Sequence, residues 1–306
     1  MEFLVVGAGA MGCLFAARLR RAGFKVELYE KIQALAKTIH DKGIEVEGIG
    51  GKYNVKVPAF AENPPLQTDV VLLCVKSPDT QEAAKTVRSW LKPESLILTL
   101  QNGLGNVEIL QRIFGRERVL GGVTAEGATV LGPGKIKHAG QGETVIGPAR
   151  EADNRVKGLV SAFNQAGFRA RAAHDVDQFI WGKLIVNVGI NALAALTKLK
   201  NGRLPKIEGT RMIMAQAVEE AVAVARAKGI ELPYADPLDR VVAVCHATAE
   251  NVASMLQDVL HEKTTEIEFI NGAILREGKA LGMSTPVNAI LTALVRAIQE
   301  TYPERV

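Results

Sequence analysis

The sequence contains few cysteines and no spacing that is typical of a metal site. Cys13, Cys74 and Cys245 are odd in number and far apart, and they form no Cys-x-x-Cys pair. This pattern argues against a disulfide framework and against a zinc site. The five histidines show no His-x-x-x-His spacing either. We therefore predict a protein without metal that resides in a reducing compartment, the cytoplasm.

A strongly basic segment is also missing. The 37 Lys and Arg residues stand against 33 Asp and Glu residues, which gives a net charge of +4 without a basic block. Proteins that coat nucleic acids concentrate positive charge on one surface. The sequence therefore predicts no nucleic-acid partner, whereas a small anionic ligand would suit the slight positive excess.

Segments that are typical of export or of membrane insertion are not recognised. The mostly apolar run FLVVGAGAMGCLFAARL, residues 3–19, follows Glu2, where a signal peptide carries a basic region, and three glycines interrupt it. We expect no other apolar run to approach the roughly 20 residues that span a bilayer. We expect this run to belong to the mature fold and expect no membrane partner.

Short β-branched runs alternate with helical patterns in the first half of the chain. Strands are predicted at 3–6, 25–29, 69–75 and 95–100, with helices between them. Such alternation indicates a parallel sheet that is covered by helices on both faces. The glycine-rich section 119–147 predicts antiparallel strands that extend this sheet. A helix at about 151–166 and a strand at 168–173 are expected to complete the unit.

The motif G-A-G-A-M-G at residues 7–12 directly follows the first predicted strand and opens a helix. Gly7 permits a tight turn, Gly9 lets the backbone approach a pyrophosphate, and Gly12 allows close helix packing. The motif predicts a dinucleotide site at the helix N-terminus. From Asp175 onward the pattern is almost entirely helical. The predicted fold is therefore α/β, with a Rossmann-type dinucleotide-binding domain over 1–174 and an all-helical substrate-binding domain over 175–306.

Several polar residues follow the predicted strands at the edge where ligands bind in such sheets. Glu30 and Lys31 end the second strand; an acidic group there accepts from the ribose of NAD, whereas a basic group pairs with the 2′-phosphate of NADP. Lys76 follows the third strand and is either a ligand contact or a surface lysine. Asn102 follows the fourth, and its Asn-Gly pair alone favours an ordinary turn.

A polar stripe interrupts the otherwise apolar helix around 181–196. Lys183, Asn187 and Asn191 are spaced by four residues and therefore share one face. Buried polar groups require partners, so the stripe serves either hydrogen bonding between helices or a polar ligand. Farther along, Ser254 and Glu266 would project from similar faces of one continuous helix, unless the chain breaks near 261–263. An exposed, unremarkable role for Glu266 is the alternative.

The ordered set of motifs resembles the ketopantoate reductase (2-dehydropantoate 2-reductase) family. The matching elements are G-A-G-A-M-G at 7–12, V-K at 75–76, Q-N-G at 101–103, D-x5-W-x-K-x3-N-x3-N at 175–191, and S-M-x-x-D-x6-T-E-I-E at 254–268. They span nearly the whole chain, and their combination is specific. The resemblance implies NADPH-dependent reduction of the C2 ketone of 2-dehydropantoate to (R)-pantoate, a step toward pantothenate and coenzyme A.

The same resemblance implies roles for individual residues. Lys183 is implied as the catalytic acid and Glu266 as a second catalytic residue. The cofactor-binding residues implied are Gly7, Ala8, Gly9, Ala10, Met11, Gly12, Lys31, Lys76, Asn102, Glu126 and Glu266. The substrate-binding residues implied are Asn102, Lys183, Asn187, Asn191, Asn201, Asn251 and Ser254.

Two departures from the family pattern bear on the cofactor. Lys31 stands where the family often has Arg, and Lys lacks the bidentate phosphate fork. Glu30 is acidic, so NADH stays open as the coenzyme beside NADPH. Two other functions also fit: a paralogous 2-keto acid or imine reductase, and a dinucleotide-binding sensor without catalysis. The expected partner is a small-molecule 2-keto acid substrate, and a homodimer is compatible with the sequence.

Overall fold

The structure is a computed structural model that describes residues 1–62, 64–65, 67–148 and 153–304. The chain divides into two compact units, one of Met1–Gln101 with Asn106–Val176 and the other of Asn102–Gly105 with Asp177–Val306. The short stretch Asn102–Gly105 belongs to the second unit, where the amide of Leu104 donates to the carbonyl of Phe269. Residues 151 and 152, where a helix was predicted to begin, lie outside the described residues.

The described residues of the first unit form two sheets and five α-helices. Its strands are β1 Glu2–Val6, β2 Lys25–Tyr29, β3 Ile44–Gly48, β4 Tyr53–Val55, β5 Ala59–Phe60, β6 Val70–Leu73, β7 Leu96–Thr99, β8 Val119–Thr124, β9 Gly127–Gly132, β10 Lys135–Gly140, β11 Glu143–Gly147 and β12 Arg169–Ala172. Its helices are α1 Ala10–Arg21, α2 Gln33–Lys42, α3 Thr80–Val87, α4 Asn106–Phe114 and α5 Asn154–Gln165.

The main sheet has the strand order β12-β11-β8-β7-β6-β1-β2-β5. Its pairs are parallel except for β8 with β11, which run antiparallel. The central strands β6 and β7 are buried throughout, as expected for parallel strands covered on both faces. Because β2 and β6 lie on opposite sides of β1, the strand order switches direction at β1. Ligands bind at such a switch point in open α/β sheets.

The glycine-rich section 119–147 is divided between the two sheets. The prediction that it extends the main sheet is confirmed for β8 and β11 but is wrong for β9 and β10. Those two strands join β3 and β4 in a separate four-stranded sheet of order β4-β3-β10-β9. Strand β10 alternates buried and exposed residues, and the second sheet packs its buried face against α1. The pairing of β3 with β10 joins residues about 90 positions apart, which local patterns do not encode.

The second unit is helical. Its helices are α6 Asp177–Thr197, α7 Glu208–Ala227, α8 Pro237–Ala247, α9 Ser254–Leu260, α10 Asn271–Ala280 and α11 Pro286–Glu300. Helix α6 packs against α7, α8, α9 and α11. Gly189 makes close packing possible, since a Cβ atom there would lie 2.8 Å from Cγ1 of Val241. The predicted Rossmann-type unit followed by a helical C-terminal region is confirmed.

Helix α6 is long and apolar enough to cross a membrane by length and composition alone. The expectation that no other apolar run approaches the length of a bilayer span is therefore wrong; the polar stripe divides the apolar run of α6 in the sequence. In the structure, 67% of its most apolar 18-residue window is buried against other parts of the protein. Core helices pass the same test of length and composition, and the burial of α6 fits that explanation.

Candidate active site

The glycine-rich turn between β1 and α1 has the geometry that its sequence predicts. Gly7 has φ +100°, and a Cβ atom on it would lie 2.9 Å from Cγ1 of Val75. A Cβ atom on Gly12 would lie 2.0 Å from the carbonyl oxygen of Gly7. Gly9 is the N-cap of α1, and apart from its neighbours in the chain no described residue has a heavy atom within 4 Å of the position its Cβ would take. The turn is therefore tightly packed on both sides of Gly9 and open at Gly9 itself.

A cavity of about 260 Å³ opens beside this turn. It is lined by the glycine-rich turn, by the residues that follow β2, and by the segment from β6 to α3. The predicted cofactor residues along its wall are Gly7, Ala8, Gly9, Lys31 and Lys76. Ala10, Met11 and Gly12 continue from the turn into the first turn of α1. The structure therefore brings together the residues predicted from three separate segments of the first unit.

The Glu30 carboxylate turns back onto the backbone that frames this cavity. One oxygen accepts from the amide of Ala8 at 2.9 Å, and the other accepts from the amide of Ile32 at 3.0 Å. The neighbouring Lys31 is exposed, and its ammonium lies 3.5 Å from the carboxylate of Asp79. The acidic residue is therefore engaged by the protein backbone, while the basic residue stays at the cavity rim.

The Asn-Gly pair after β7, taken by itself, predicted an ordinary turn. The chain does turn there, and the turn packs against Phe269. Gly103 has φ +86° and packs against Phe269, where a Cβ atom would lie 2.3 Å from the carbonyl oxygen. This packing holds the preceding Asn102, whose amide nitrogen donates to Oε2 of Glu266 at 3.2 Å. Both residues belong to the second unit, and both were predicted to line the reaction site.

Lys183 lies on the same unit, on helix α6. Burial lowers the pKa of its ammonium to about 8, and the negative charge of Glu266 acts in the opposite direction. A lysine in a desolvated setting with one carboxylate nearby is a frequent feature of catalytic sites. Helix α9 ends at Leu260, so Ser254 and Glu266 do not share one continuous helix, an outcome that the sequence left open. Glu266 directly precedes the 3-10 helix Ile267–Phe269. The break brings Glu266 toward Lys183 and Asn102.

Asn191 of α6 contacts the residues that open α9. Asn191 is buried, and its Oδ1 accepts from Oγ of Ser254 at 3.3 Å and from the amide of Met255 at 3.5 Å. Asn187 lies one turn earlier and is half-buried. At one end of the polar stripe, Lys183 interacts with the negative charge of Glu266. At the other end, Asn191 accepts a hydrogen bond from Ser254.

Asn201 opens the 3-10 helix Asn201–Lys206 and is 7% exposed. Its backbone amide donates to the carbonyl of Asn251 at 3.1 Å, and its side-chain nitrogen donates to Oγ1 of Thr248 at 2.9 Å. Asn201 and Asn251, which are far apart in sequence, are therefore neighbours.

Glu126 is placed differently from the other predicted cofactor residues. Its buried carboxylate lies 2.6 Å from Nε2 of His138 and 3.7 Å from Nη1 of Arg18. Arg18 lies near the C-terminal end of α1, roughly 12 Å along the helix axis from Ala10 at about 1.5 Å per residue. The structure therefore does not bring the Glu126 side chain to the glycine-rich turn, since it pairs with His138 of β10 and lies near Arg18.

A polar network beside the cavity was not predicted from the sequence. Gln101 donates to the carbonyl of Val75 at 2.7 Å and to Oγ1 of Thr80 at 2.8 Å, and Thr80 donates to Asn106 at 2.9 Å. The amide nitrogen of Asn106 donates in turn to Ser77 at 3.0 Å. These bonds fix the loop that carries Lys76. The available signal was Gln101 in the Q-N-G motif, of which only the asparagine was assigned a role.

Residues 1–62, 64–65, 67–148 and 153–304 contain no group of three or more His, Cys, Asp and Glu side chains that could hold a metal ion. The three cysteines, which all lie in the part of the chain that the structure describes, are free thiols.

Comparison with family models matches both units. Residues 3–151 match the model described as ketopantoate reductase PanE/ApbA, and residues 175–299 match the model for the C terminal part of ketopantoate reductase PanE/ApbA. The 2-dehydropantoate 2-reductase of Pyrococcus abyssi is 34% identical over 297 residues, which are 97% of each protein.

Solved structures agree with these matches. A PanE/ApbA family ketopantoate reductase from Ralstonia eutropha JMP134 is 36% identical with a TM-score of 0.91, and the match covers 98% of this chain and 99% of that one. D-mandelate dehydrogenase, solved with NADH and anilino(oxo)acetate, is 27% identical with a TM-score of 0.91 over 98% and 99% of the two chains. The chain therefore belongs to the ketopantoate reductase (PanE/ApbA) family of oxidoreductases.

Proposed function

We propose that the protein catalyses the NADPH-dependent reduction of 2-dehydropantoate to (R)-pantoate, with Lys183 as the proton donor. The observation that carries this proposal is the group of Lys183, Glu266 and Asn102 in the second unit. Burial lowers the pKa of this lysine to about 8 while the Glu266 carboxylate favours its charged form. The family matches and the relatives named 2-dehydropantoate 2-reductase support the same reaction.

The first unit supplies the coenzyme site. The open space over Gly9 accommodates a pyrophosphate, and the N-terminus of α1 attracts its negative charge. The nicotinamide ring, when bound, supplies the hydride. Gly7 and Gly12 maintain the turn, and Lys76 adds a positive charge at the cavity wall. The residues present therefore fit a dinucleotide.

Lys183 performs the proton chemistry. Hydride addition to a ketone builds negative charge on the carbonyl oxygen, and an ammonium group within hydrogen-bond reach stabilises that charge and delivers a proton. With a pKa of about 8, the ammonium is mostly protonated at neutral pH and is more acidic than an ordinary lysine. Glu266 positions this group and supports its charge, and Asn102 fixes one oxygen of the Glu266 carboxylate.

The substrate's polar groups are assigned to the side chains of the stripe and to those that follow it. Asn187 and Asn191 lie on α6 after Lys183. Asn201, Asn251 and Ser254 come from two segments that contact each other and Asn191. Asn102 completes the set beside Glu266. These groups hold a short, oxygen-rich keto acid so that its ketone faces Lys183, a positioning effect that lowers the entropy cost of reaction.

For the coenzyme, we propose NADPH in preference to NADH. Lys31 lies at the cavity rim, where its charge can pair with a 2′-phosphate. The negative charge of Glu30 is compensated by two backbone amides, which lessens its repulsion of a phosphate. Each Glu30 oxygen retains a second lone pair that can accept from a ribose hydroxyl, so NADH remains a usable coenzyme.

This assignment places the protein in the cytoplasmic route to pantothenate and coenzyme A, where it acts on a small molecule and needs neither nucleic acid nor membrane. We propose a homodimer as its assembly. The presence of both Lys183 and Glu266 favours a reductase over a dinucleotide-binding sensor.

The test measures the decay of NADPH absorbance with 2-dehydropantoate and with a panel of other 2-keto acids that includes phenylglyoxylate. We expect the highest kcat/KM for 2-dehydropantoate. A higher kcat/KM for another keto acid would assign the protein to a paralogous reductase, and no turnover with any of them would refute the reductase assignment.

A further inference from the structure

A cavity of about 430 Å³ lies within the first unit and shares no lining residue with the coenzyme cavity. It is formed by the C-terminal ends of α1 and α5 and by residues of the second sheet and its turns. Its volume is within the range of small-molecule sites. Among the described residues, no Asp or Glu lines it, and its polar lining residues are Arg18, Arg21, Tyr53, His138, Gln141 and Gln165.

Arg18 is held in a fixed position at the wall of this cavity. Its guanidinium lies 4.2 Å from the centre of the Phe168 ring, and its Nε donates to the carbonyl of Ala166 at 3.0 Å. Nη2 donates to the carbonyl of Gly167. Nη1 is buried and has no hydrogen-bond partner among the described residues, although Oε2 of Glu126 lies 3.7 Å from it. Buried donors nearly always have a partner, so we expect Nη1 to bind an acceptor that the chain itself does not supply.

The neighbouring pair of His138 and Glu126 does not cancel the charge of Arg18. Nδ1 of His138 lies 3.3 Å from the carbonyl oxygen of Ile49, which only accepts, so Nδ1 carries a proton. Nε2 lies 2.6 Å from Oε2 of Glu126, and the hydrogen bond between them requires a second proton, on the ring or on the carboxyl group. The pair is therefore an imidazolium with a carboxylate or an imidazole with a carboxylic acid. Either form is neutral as a whole.

Arg21 adds a second guanidinium three residues farther along α1. Its Cζ lies 4.3 Å from the centre of the Tyr53 ring, and a guanidinium stacked on an aromatic face keeps its N–H donors at the edge of its plane. The Arg21 side chain is exposed. The C-termini of α1 and α5 each contribute about half a negative charge at the cavity. These partial charges offset about one of the two arginine charges, so the cavity keeps a net positive charge.

We propose that this cavity binds a small organic anion through a carboxylate or phosphate group, and that Arg18 and Arg21 recognise that group. Guanidinium groups bind the oxygens of carboxylates and phosphates bidentately. The exposed side chains of Gln141 and Gln165 line the same cavity and supply amides for further polar groups of the molecule. The cavity is larger than a single inorganic ion needs, which favours an organic molecule. This second ligand site does not depend on the reaction proposed above.

Isothermal titration calorimetry tests the site with two probes, citrate and glycerol 2-phosphate. The anionic groups of citrate are all carboxylates, whereas glycerol 2-phosphate carries only a phosphate. The full chain is titrated at about 0.15 M salt, where screening weakens nonspecific attraction between exposed charges. We expect at least one probe to bind as one molecule per chain with a Kd below about 1 mM, and the probe with the lower Kd identifies the preferred group. If neither probe binds at that level, the proposal is overturned.

Arg21→Gln removes the exposed guanidinium and should raise the Kd of the bound probe at least about 10-fold, because hydrogen bonds to a charged group are lost. Arg20→Gln is the matched control, since it removes the same charge one residue earlier on α1 but outside the lining of the cavity. It should leave the Kd within about twofold of the parent value. Equal effects of the two substitutions would indicate nonspecific attraction and would contradict the proposal.

Lys76→Ala separates this site from the coenzyme cavity, which Lys76 lines. It should leave the Kd of the probe unchanged, and an increase as large as that in Arg21→Gln would place the probe in the coenzyme cavity and exclude the second site. Should Arg21→Gln not fold, Gln165→Glu supplies the same test, because it adds a negative charge to the cavity lining. The Kd should rise in this variant, and an unchanged value would refute the proposal.

Discussion

Lys183 is a lysine whose acidity is changed by its surroundings rather than by its own structure. Its pKa falls to about 8 because burial disfavours the charged ammonium, and Glu266 limits this fall. A general acid works best when its pKa is close to the working pH. The two opposing effects therefore produce a group that is charged at neutral pH and gives up its proton readily.

Lys183→Ala should lower kcat by about 100-fold to 10,000-fold, the usual loss on removal of a general acid. The dissociation constant for NADPH should stay close to that of the parent, because the first unit supplies the proposed coenzyme site. Stopped-flow kinetics and fluorescence titration measure the two quantities. Lys228→Ala, which removes a lysine from a surface ion pair with Glu277, is the control. A kcat within a few fold of the parent value would return the polar stripe to a packing role.

The pH dependence of kcat follows from the same lysine. The ammonium is lost as pH rises through its pKa, so kcat should fall above a pH of about 8. Glu266 raises the pKa of Lys183, so Glu266→Gln should shift the fall toward lower pH. The control is Glu268→Gln, two residues farther on, where the carboxylate pairs with Arg296 instead. An unshifted profile in Glu266→Gln would show that its carboxylate does not act on Lys183.

Lys31 is expected to decide between the two coenzymes. Lys31→Ala should raise KM for NADPH far more than KM for NADH, because only NADPH carries the 2′-phosphate. Steady-state titration of both coenzymes at saturating keto acid gives the two values. Lys37→Ala, which removes a lysine from the surface of α2, should leave both constants unchanged. Equal effects of Lys31→Ala on the two coenzymes would show that this ammonium does not read the phosphate.

At the scale of elements, the turn from β1 to α1 separates two roles of glycine. Gly12 is required for packing, because a Cβ there would lie 2.0 Å from the carbonyl oxygen of Gly7. Gly9 has open space around its Cβ position and φ −67°, a value that any residue adopts. The fold therefore needs Gly12, whereas the proposed coenzyme needs Gly9.

Gly12→Ala should consequently lower the melting temperature of the protein in the absence of coenzyme, whereas Gly9→Ala should leave it almost unchanged. Gly9→Ala should instead weaken NADPH binding, because its methyl group occupies the space proposed for the pyrophosphate. Thermal unfolding with and without NADPH measures both effects. A large loss of stability in Gly9→Ala, or unaltered NADPH binding, would contradict this division of roles.

At the scale of the whole molecule, contacts between distant segments decide what a residue does. Glu126, His138 and Arg18 come from the loop after β8, from β10 and from α1, and they form a polar cluster in which Glu126 and His138 are buried. Their partners are other protein groups and not the glycine-rich turn. The cluster therefore joins the second sheet to α1 within the first unit.

Breaking this cluster should destabilise the protein, because removal of one partner leaves a buried charge or polar group without compensation. We expect Glu126→Ala and His138→Ala each to lower the free energy of unfolding by about 3 kcal/mol. The double variant should lose at least about 0.5 kcal/mol less than the sum of the two, as contacting residues do. Urea denaturation supplies the values; additive losses would mean that the two side chains do not interact.

Much of the fold and part of the site were predictable from local pattern. Short apolar runs predicted the strands β1, β2, β6 and β7, and the glycine motif predicted the turn at Gly7–Gly12. Each of these patterns lies within a few consecutive residues. The second sheet was not predictable, because β3 and β10 pair across a long sequence separation. Asn102 illustrates the same limit. Its Asn-Gly pair indicates a turn, but its hydrogen bond to Glu266 depends on the packing of Gly103 against the distant Phe269.

The sequence by itself determined the class of chemistry. The glycine motif and the spacing of Lys183, Asn187 and Asn191 depend only on residues close together in the chain, and the order of the motifs is read along the chain without the fold. Tertiary structure alone decided the acidity of Lys183, the hydrogen bond of Asn102 to Glu266 and the pairing of Glu126 with His138. Each of these three properties depends on burial and on partners brought from distant segments. Desolvation and hydrogen-bond direction are properties of the folded surroundings, so no local pattern of residues contains them.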